Sequence, residues 1–113
     1  MLLVFLLITF MRKNIKTEQL GNGIVVTKIF DDNNKLHCDD CPAIVTQNSE
    51  EWYKHGLKHK INGYAVKIIK DDWIRLEWWK DGVLHRDGDK PAVIDSNGIM
   101  EWWIEGELKK NSQ

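Results

Sequence analysis

The chain has 113 residues, a formal net charge of −1, and 42% hydrophobic and 29% charged residues. This length corresponds to one domain with a modest core. The near-neutral charge excludes a global electrostatic attraction to nucleic acid or anionic lipid, and we expect no nucleic-acid partner, although a local basic face remains open.

The N-terminal run Met1–Phe10 is apolar and uncharged. It has about half of the ~20 residues that a membrane span requires and the length of the apolar region of a signal peptide. Basic residues follow the run rather than precede it, and no cleavage site is evident. Three interpretations stay open: a signal or short anchor, a strand packed on the domain, or sequence upstream of a true start at Met11. We therefore divide the chain into an apolar leader, 1–11, and a single β-repeat domain, 12–113.

The domain begins with strand and turn signals. Gly21-Asn22-Gly23 predicts a turn, Ile24–Phe30 a strand, and Asp31–Asn34 a second turn.

From Leu36 onward the chain repeats itself about four times, with ragged ends. A Glu-Trp-aromatic triplet begins at Glu51, Glu77 and Glu101, and a Gly follows five residues after each Glu. The tryptophans are spaced by 26 residues (52 to 78) and then 24 (78 to 102). His and Ala also recur in most copies, at His37, His59 and His85 and at Ala43, Ala65 and Ala92.

Each repeat has the composition of a β-hairpin, because aromatic residues favour strands and Gly accepts the positive φ of a tight turn. Alternation along a strand predicts that the first aromatic residue of each pair joins the core and the second is partly exposed. In the third copy the predicted core face is Ile74, Leu76 and Trp78, and the outer face is Trp73, Arg75, Glu77 and Trp79. The predicted fold is all-β, with repeated β-hairpins stacked as a twisted antiparallel meander.

The third copy resembles the MORN-type repeat through Glu77-Trp78, Gly82, His85 and Gly88, with one extra residue after Trp78. It is more similar to the repeat E-W-Y-x-x-G-x-L-H-R-x-x-G-P-A of uncharacterised phage and giant-virus proteins. The matching residues are Glu77, Trp78, Trp79, Gly82, Leu84, His85, Arg86, Pro91 and Ala92, with an insertion in the loop Asp87–Lys90.

Other copies depart from that pattern at Cys38, Cys41, Lys60 and Tyr64, and the similarity covers Leu36 to Leu108. The resemblance implies a phage or viral protein that makes protein or lipid contacts, located in the host cytoplasm. Secretion or membrane association would instead depend on residues 1–10.

The segment His37–Cys41 contains a Cys-x-x-C pair next to a histidine. Such a pair can bind zinc if a second ligand pair completes the site, here from His37, His55 or His59. Cys38 and Cys41 can also form a disulfide or redox dithiol. Two cysteines are too few for a disulfide-stapled fold, so we expect reduced thiols in a variant turn.

The recurrent histidines favour a structural role, because a catalytic histidine is usually unique whereas a structural one can recur in each repeat. We expect each to hold its loop by a hydrogen bond, for example to a backbone carbonyl. The sequence has neither a nucleophile-elbow serine nor a phosphate-binding Gly-rich loop. We expect neither an enzyme nor a cofactor.

The sequence therefore favours a small non-enzymatic binding protein, and the resemblance to phage and viral repeats implies a host protein as the contacted and inhibited target. Aromatic residues and Arg are typical of interface hot spots. The predicted partner-binding residues are Tyr53, Arg75, Trp79, Arg86, Asp87, Lys90 and Trp103. The alternatives are a structural protein that assembles into oligomers through open sheet edges and a membrane-associated accessory protein.

Overall fold

The computed structural model describes residues 14–112, and every regular element in this range is a β-strand. The strands are β1 (Ile15–Gln19), β2 (Val25–Ile29), β3 (Ile44–Thr46), β4 (Ser49–Glu51), β5 (Tyr53–Lys54), β6 (Leu57–Lys58), β7 (Val66–Lys70), β8 (Trp73–Glu77), β9 (Trp79–Lys80), β10 (Val83–Leu84), β11 (Val93–Asp95), β12 (Met100–Ile104) and β13 (Glu107–Asn111). The predicted all-β fold is confirmed. The apolar run Met1–Phe10 lies outside the described residues.

Nine strands form one antiparallel sheet in the order β1-β2-β3-β4-β7-β8-β11-β12-β13. The sheet order follows the chain order, which is the predicted meander. Two short hairpins, β5–β6 and β9–β10, are left out of this sheet and branch from it. The second aromatic residue of the motif, Tyr53 or Trp79, lies in the first strand of each short hairpin.

Each branch begins at the first aromatic residue of the motif. Trp52 separates β4 from β5, and Trp78 separates β8 from β9. In the last repeat β12 runs on without a break, and the register shifts between Trp102 and Trp103 instead. The strand alternation is therefore interrupted where the motif begins.

The branching hairpins close with tight turns in which both central residues have positive φ. In the third repeat these are Asp81 (φ 47°) and Gly82 (φ 87°). Positive φ at both positions defines the type I′ turn that matches the twist of a two-residue hairpin. The predicted turn role of the motif glycine is confirmed.

Neighbouring hairpins also stack against one another. The turn glycine of each hairpin donates its N–H to a carbonyl of the preceding repeat: Gly56 to Leu36 (2.7 Å), Gly82 to Lys58 (2.8 Å) and Gly106 to Leu84 (2.9 Å). A Cβ placed on Gly106 would lie 3.3 Å from the Cβ of Val83. The motif glycine thus serves both the turn and the close approach of repeats.

The core is a narrow row at the start of the main-sheet strands. Ala43, Ala65 and Ala92 have no exposed surface, and Val66 and Val93 lie beside them. Each of these alanines donates its N–H to the carbonyl of the motif Glu in the following strand. Small side chains let these strands approach where the hairpins branch off.

The predicted core face of the third copy is wrong. Ile74 is 41% exposed, and Trp78 is half-buried rather than enclosed. Strand alternation assumes one uninterrupted strand with one covered face, whereas this strand breaks at Trp78. The apolar residues of the described sheet are consequently shared between two partly open faces.

The first repeat begins earlier than the sequence comparison indicated. Ile29 takes the place of the first tryptophan, because the His37 N–H donates to its carbonyl (2.9 Å) as the His59 N–H donates to that of Trp52 (3.1 Å). Asn34, with φ 63°, ends the turn where later repeats have Gly. Lys28-Ile29-Phe30 preserves the backbone of the motif without its residues, so sequence similarity could not find it.

Candidate functional site in the grooves between repeat loops

The repeat histidines tie consecutive repeats together. The Nδ1 atom of each accepts a backbone N–H from the hairpin turn of the next repeat: His37 from His55 (3.0 Å), His59 from Asp81 (3.0 Å) and His85 from Glu105 (2.9 Å). The predicted hydrogen-bonding role is confirmed. Its partner is an amide in the following repeat, not a carbonyl of the same loop, because the stacked hairpin presents its N–H to the ring.

This bond fixes the tautomer of the rings, since a neutral imidazole that accepts at Nδ1 carries its proton on Nε2. The Nε2 of His85 lies 2.9 Å from Oδ1 of Asp87, and that of His37 lies 3.0 Å from Oδ1 of Asp39. In His37 and in His85, both ring nitrogens are therefore engaged in contacts within the protein. His85 is also only 7% exposed.

The motif glutamates hold the second aromatic residue of each pair. Tyr53 Oη donates to Glu51 (3.0 Å), Trp79 Nε1 to Glu77 (2.8 Å) and Trp103 Nε1 to Glu101 (3.0 Å). Arg75 Nε donates to the other oxygen of Glu77 at 2.7 Å. Burial and the adjacent Glu51 carboxylate raise the pKa of Tyr53 well above its usual range. We call Tyr53, Trp79 and Trp103 the aromatic stripe; each is a half-buried side chain held by a glutamate of its own repeat.

The first aromatic residue of each motif is covered by a cation eight residues later. The charged group lies over the indole at 3.8 Å for Lys60 on Trp52, 3.8 Å for Arg86 on Trp78 and 4.6 Å for Lys110 on Trp102. Such contacts are favourable when the ring face is otherwise exposed. They explain why these tryptophans are half-buried without an apolar layer above them. The constant spacing of eight was the sequence signal that would have revealed them.

Grooves open between the loops of consecutive repeats. The larger, of about 590 Å³, lies between the second and third repeats and is lined by His59, Lys60, Ile61, Asn62, Gly63, Trp78, Trp79, Lys80, His85, Arg86, Asp87 and Lys90. The smaller, of about 190 Å³, lies one repeat earlier and is lined by Cys38, Asp39, Trp52, Tyr53, Lys54, His59, Lys60 and Ile61. Cys38, Lys60 and Arg86 are equivalent repeat positions, so the two grooves are copies of one feature.

The structure divides the predicted partner-binding residues. It brings Trp79, Arg86, Asp87 and Lys90 together in the larger groove. Tyr53 lines the smaller groove, whereas Arg75 and Trp103 line neither. Residues of the preceding loop, which sequence reasoning overlooked, complete the larger groove, because a site between repeats cannot be seen within one copy.

The larger groove carries a local excess of positive charge. Lys80 faces Glu105 at 3.5 Å, and Asp87 is engaged by His85. Within the described chain no carboxylate forms an ion pair with Lys60, Arg86 or Lys90, although Arg86 does donate to the Pro91 carbonyl (3.0 Å). Burial lowers the pKa of the Arg86 guanidinium. The Arg86 guanidinium is thus partly desolvated, and no carboxylate compensates for the lost hydration.

The two cysteines form a disulfide across the first loop. The expectation of reduced thiols is therefore wrong, and Cys38 and Cys41 do not offer the thiolates that the zinc hypothesis with His37 and His59 required. The bond joins residues three apart whose Cα atoms lie 5.4 Å apart, a separation that suits a disulfide. It closes the loop that lacks the cation of the later repeats.

A cluster of two histidines and one aspartate lies beside this loop. Ligand-type atoms of Asp31, His37 and His55 all fall within 4.8 Å of one another. The two imidazoles are stacked 4.1 Å apart at 16°, so their nitrogens lie side by side and do not converge on one point. The His55 hydrogen bond, followed by the Lys35 backbone amide, lowers the pKa of Asp31 to about 2. The arrangement suits a hydrogen-bonded cluster better than a metal site.

No protein-family model, curated protein or solved structure matches this chain. The resemblance to MORN-type and viral repeats therefore rests on the motif residues alone. Across residues 14–112 the structure has no helix long and apolar enough to span a membrane.

Proposed function

We propose that this protein is a non-catalytic repeat protein that binds another polypeptide in the grooves between its repeat loops. The observation that carries the proposal is the larger groove, where Trp78, Trp79 and Arg86 line one concave surface. Tryptophan and arginine are the residues most often found at interface hot spots, and ordered rings bind at a low entropic cost. Each of these three side chains is already held by a partner within its repeat.

The hydrogen bonding of the histidines supports binding over catalysis. A general base must reach the proton that it removes, with a free acceptor atom. His59 and His85 line the groove, but their Nδ1 atoms already accept turn amides. Within this proposal they shape the site and do not act on a substrate.

We further propose that the protein is of phage or viral origin and that its target is a host protein, which it inhibits. The support for it is the motif similarity of Glu77–Ala92. The groove itself requires only a polypeptide partner.

Selection of random peptides on the immobilised protein tests the groove directly. We expect enriched peptides to lose binding to Ile61→Asp, because Ile61 lines the groove and is 67% exposed, so the change leaves the core intact. Trp79→Ala should act in the same way. Denaturant unfolding of each variant would separate lost binding from lost folding.

Trp103→Ala is the matched control. Trp103 makes the same hydrogen bond to a motif glutamate as Trp79 but lies outside both grooves. Retained binding supports the groove as the site. Loss of binding in Trp103→Ala, with Ile61→Asp unaffected, would show that the aromatic stripe is the binding surface.

Self-assembly is a second candidate function. β1 and β13 each pair with one strand among the described residues, and all five residues of β13 are exposed. Open edges can pair with another copy, although lysines on the edge oppose this. Sedimentation at rising protein concentration distinguishes the cases, since a constant monomer mass contradicts assembly.

A further inference from the structure

We propose that the occupant of the larger groove is an extended acidic segment of the partner, with carboxylates three residues apart contacting Lys60 and Arg86. The inference rests on the proposed function and names its ligand class. It follows from the charge, spacing and coverage of the cations that stand over the motif tryptophans.

The cation row is neutralised everywhere except at this groove. In the last repeat Lys110 stands over Trp102 and faces Asp89 at 3.6 Å. In the first repeat the equivalent position is Cys38, which has no charge and is closed in a disulfide. Only Lys60 and Arg86 are cations of this row without an ion-pair partner among residues 14–112. The larger groove thus holds the two cations of this row that no carboxylate of residues 14–112 neutralises.

These two cations are prepared to receive anions. Each lies 3.8 Å from the centre of a tryptophan ring, which covers one side of the charged group, and Arg86 also donates from Nη1 to the Pro91 carbonyl. An arginine held in this way offers a carboxylate a fixed pair of N–H donors. Because Arg86 is already partly dehydrated, an incoming carboxylate replaces interactions with water that have in part been lost.

The spacing of the repeats sets the spacing of the ligand. Lys60 and Arg86 belong to consecutive repeats, whose strands β4 and β8 are separated only by β7. Two strand spacings amount to about 10 Å. In the polyproline II form of an extended chain, three residues make one turn and rise ~9 Å, so side chains at positions i and i+3 share a face. Carboxylates at positions i and i+3 therefore reach both cations. Lys90 lies at the groove as a third contact for a following acidic residue.

Fluorescence anisotropy with synthetic peptides of equal length tests the inference on the full-length protein. One peptide carries Glu at every third position, a second has the same number of Glu residues in one block, and a third has Lys in place of Glu. We expect the first peptide to bind most tightly and the Lys peptide not to bind. Arg86→Gln should weaken the first peptide about tenfold, which corresponds to one interfacial charge pair.

Two variants control for folding and for non-specific charge effects. Arg86→Lys keeps a cation over Trp78, as Lys60 does over Trp52, and should preserve most of the affinity. Lys70→Glu reverses a charge at the end of β7, next to the β7–β8 turn and outside both grooves. This variant should leave the affinity unchanged.

Several results would overturn the inference. Equal affinity for the Glu and Lys peptides, or an Arg86→Gln variant that binds as the parent does, contradicts an acidic occupant. Tighter binding of a single-stranded oligonucleotide than of the Glu peptide assigns the groove to nucleic acid. If random selection yields groove-dependent peptides that are not acidic, the proposed function stands and this inference fails; if no peptide depends on the groove, both fail.

Discussion

A single contact, from an imidazole nitrogen to a backbone amide, recurs at the boundaries between repeats. His85 is the most enclosed of these rings, and its Nδ1 accepts the Glu105 amide at 2.9 Å. Lys109 occupies the equivalent position of the last repeat, seven residues after Trp102 as His85 is seven after Trp78. In the described chain no further turn follows Lys109. Lys109 Nζ instead donates to Glu107 of its own hairpin at 3.1 Å.

His85→Ala should lower the free energy of unfolding by about 1–3 kcal/mol, because it leaves the Glu105 amide without its acceptor and empties a buried position. Lys109→Ala should change it by no more than about 0.5 kcal/mol, since an exposed pair such as Lys109–Glu107 contributes little. Urea denaturation of both variants measures the difference. Equal losses would show that the histidine position matters for reasons other than the inter-repeat bond.

Tyr53 provides a spectroscopic test of the aromatic–glutamate pair. Its pKa is raised by burial first and by Glu51 second, from an ordinary value of 10.0. Because the folded-state pKa lies above the unfolded one, the stability it contributes is complete below about pH 10 and is lost as the pH rises through the folded-state pKa. We expect the phenolate absorbance of the native protein to contain a component that appears only in strong alkali. Tyr53→Phe should remove that component, and its persistence would contradict the assignment.

At the scale of the element, the hairpin of each motif depends on a turn glycine with two roles. Gly106 has φ 83° and lies where a Cβ would approach Val83 Cβ at 3.3 Å. Gly98 has a comparable φ of 95° but open space around it. The pair separates the cost of backbone conformation from the cost of crowding between stacked hairpins.

Gly98→Ala should destabilise the fold by about 1–2 kcal/mol, the usual cost of a left-handed conformation for an L-residue. Gly106→Ala should lose more, because Val83 is β-branched and its Cβ cannot move without its backbone. Thermal unfolding monitored by tryptophan fluorescence compares the two. Identical losses would mean that the hairpins separate freely at this point.

The hairpins and their turn glycines could be predicted from the sequence because these are local properties of a few adjacent residues. The face assignment of Ile74 and Trp78 could not, since it requires knowing where a strand leaves its sheet. Four residues that line the larger groove, Trp79, Arg86, Asp87 and Lys90, are among the partner-binding residues that the sequence predicts, whereas Lys60 and Ile61 are not. A site formed between two copies depends on how the copies stack, and the residues of one motif alone do not reveal that stacking.

At the scale of the molecule, the array is long and thin. Its Cα radius of gyration is 16.0 Å, with extents of 51 × 32 × 20 Å, whereas a compact domain of this size has about 13 Å. Repeats contact mainly their neighbours, so stability is approximately a sum of unit and boundary contributions. Such an array opens from its ends.

Native-state hydrogen exchange should therefore show a gradient. Amides in β7 and β8, at the centre of the nine-strand sheet, should exchange most slowly, and those in β1 and β13 most rapidly. Mass spectrometry of peptic fragments resolves these strands. Uniform protection from edge to centre would indicate a single cooperative unit.

The bond from each histidine to the next turn also gives the array a direction, because each internal repeat offers its turn amide to the histidine before it and its histidine to the turn after it. The segment 52–77 contains one complete set of these parts: a turn to be held and a histidine that holds another. A second in-frame copy placed after Glu77 would meet His59 on one side and the Asp81 turn on the other, with no new kind of junction. Gene duplication or unequal recombination can thus lengthen the protein by whole repeats, and each added repeat would create one more groove.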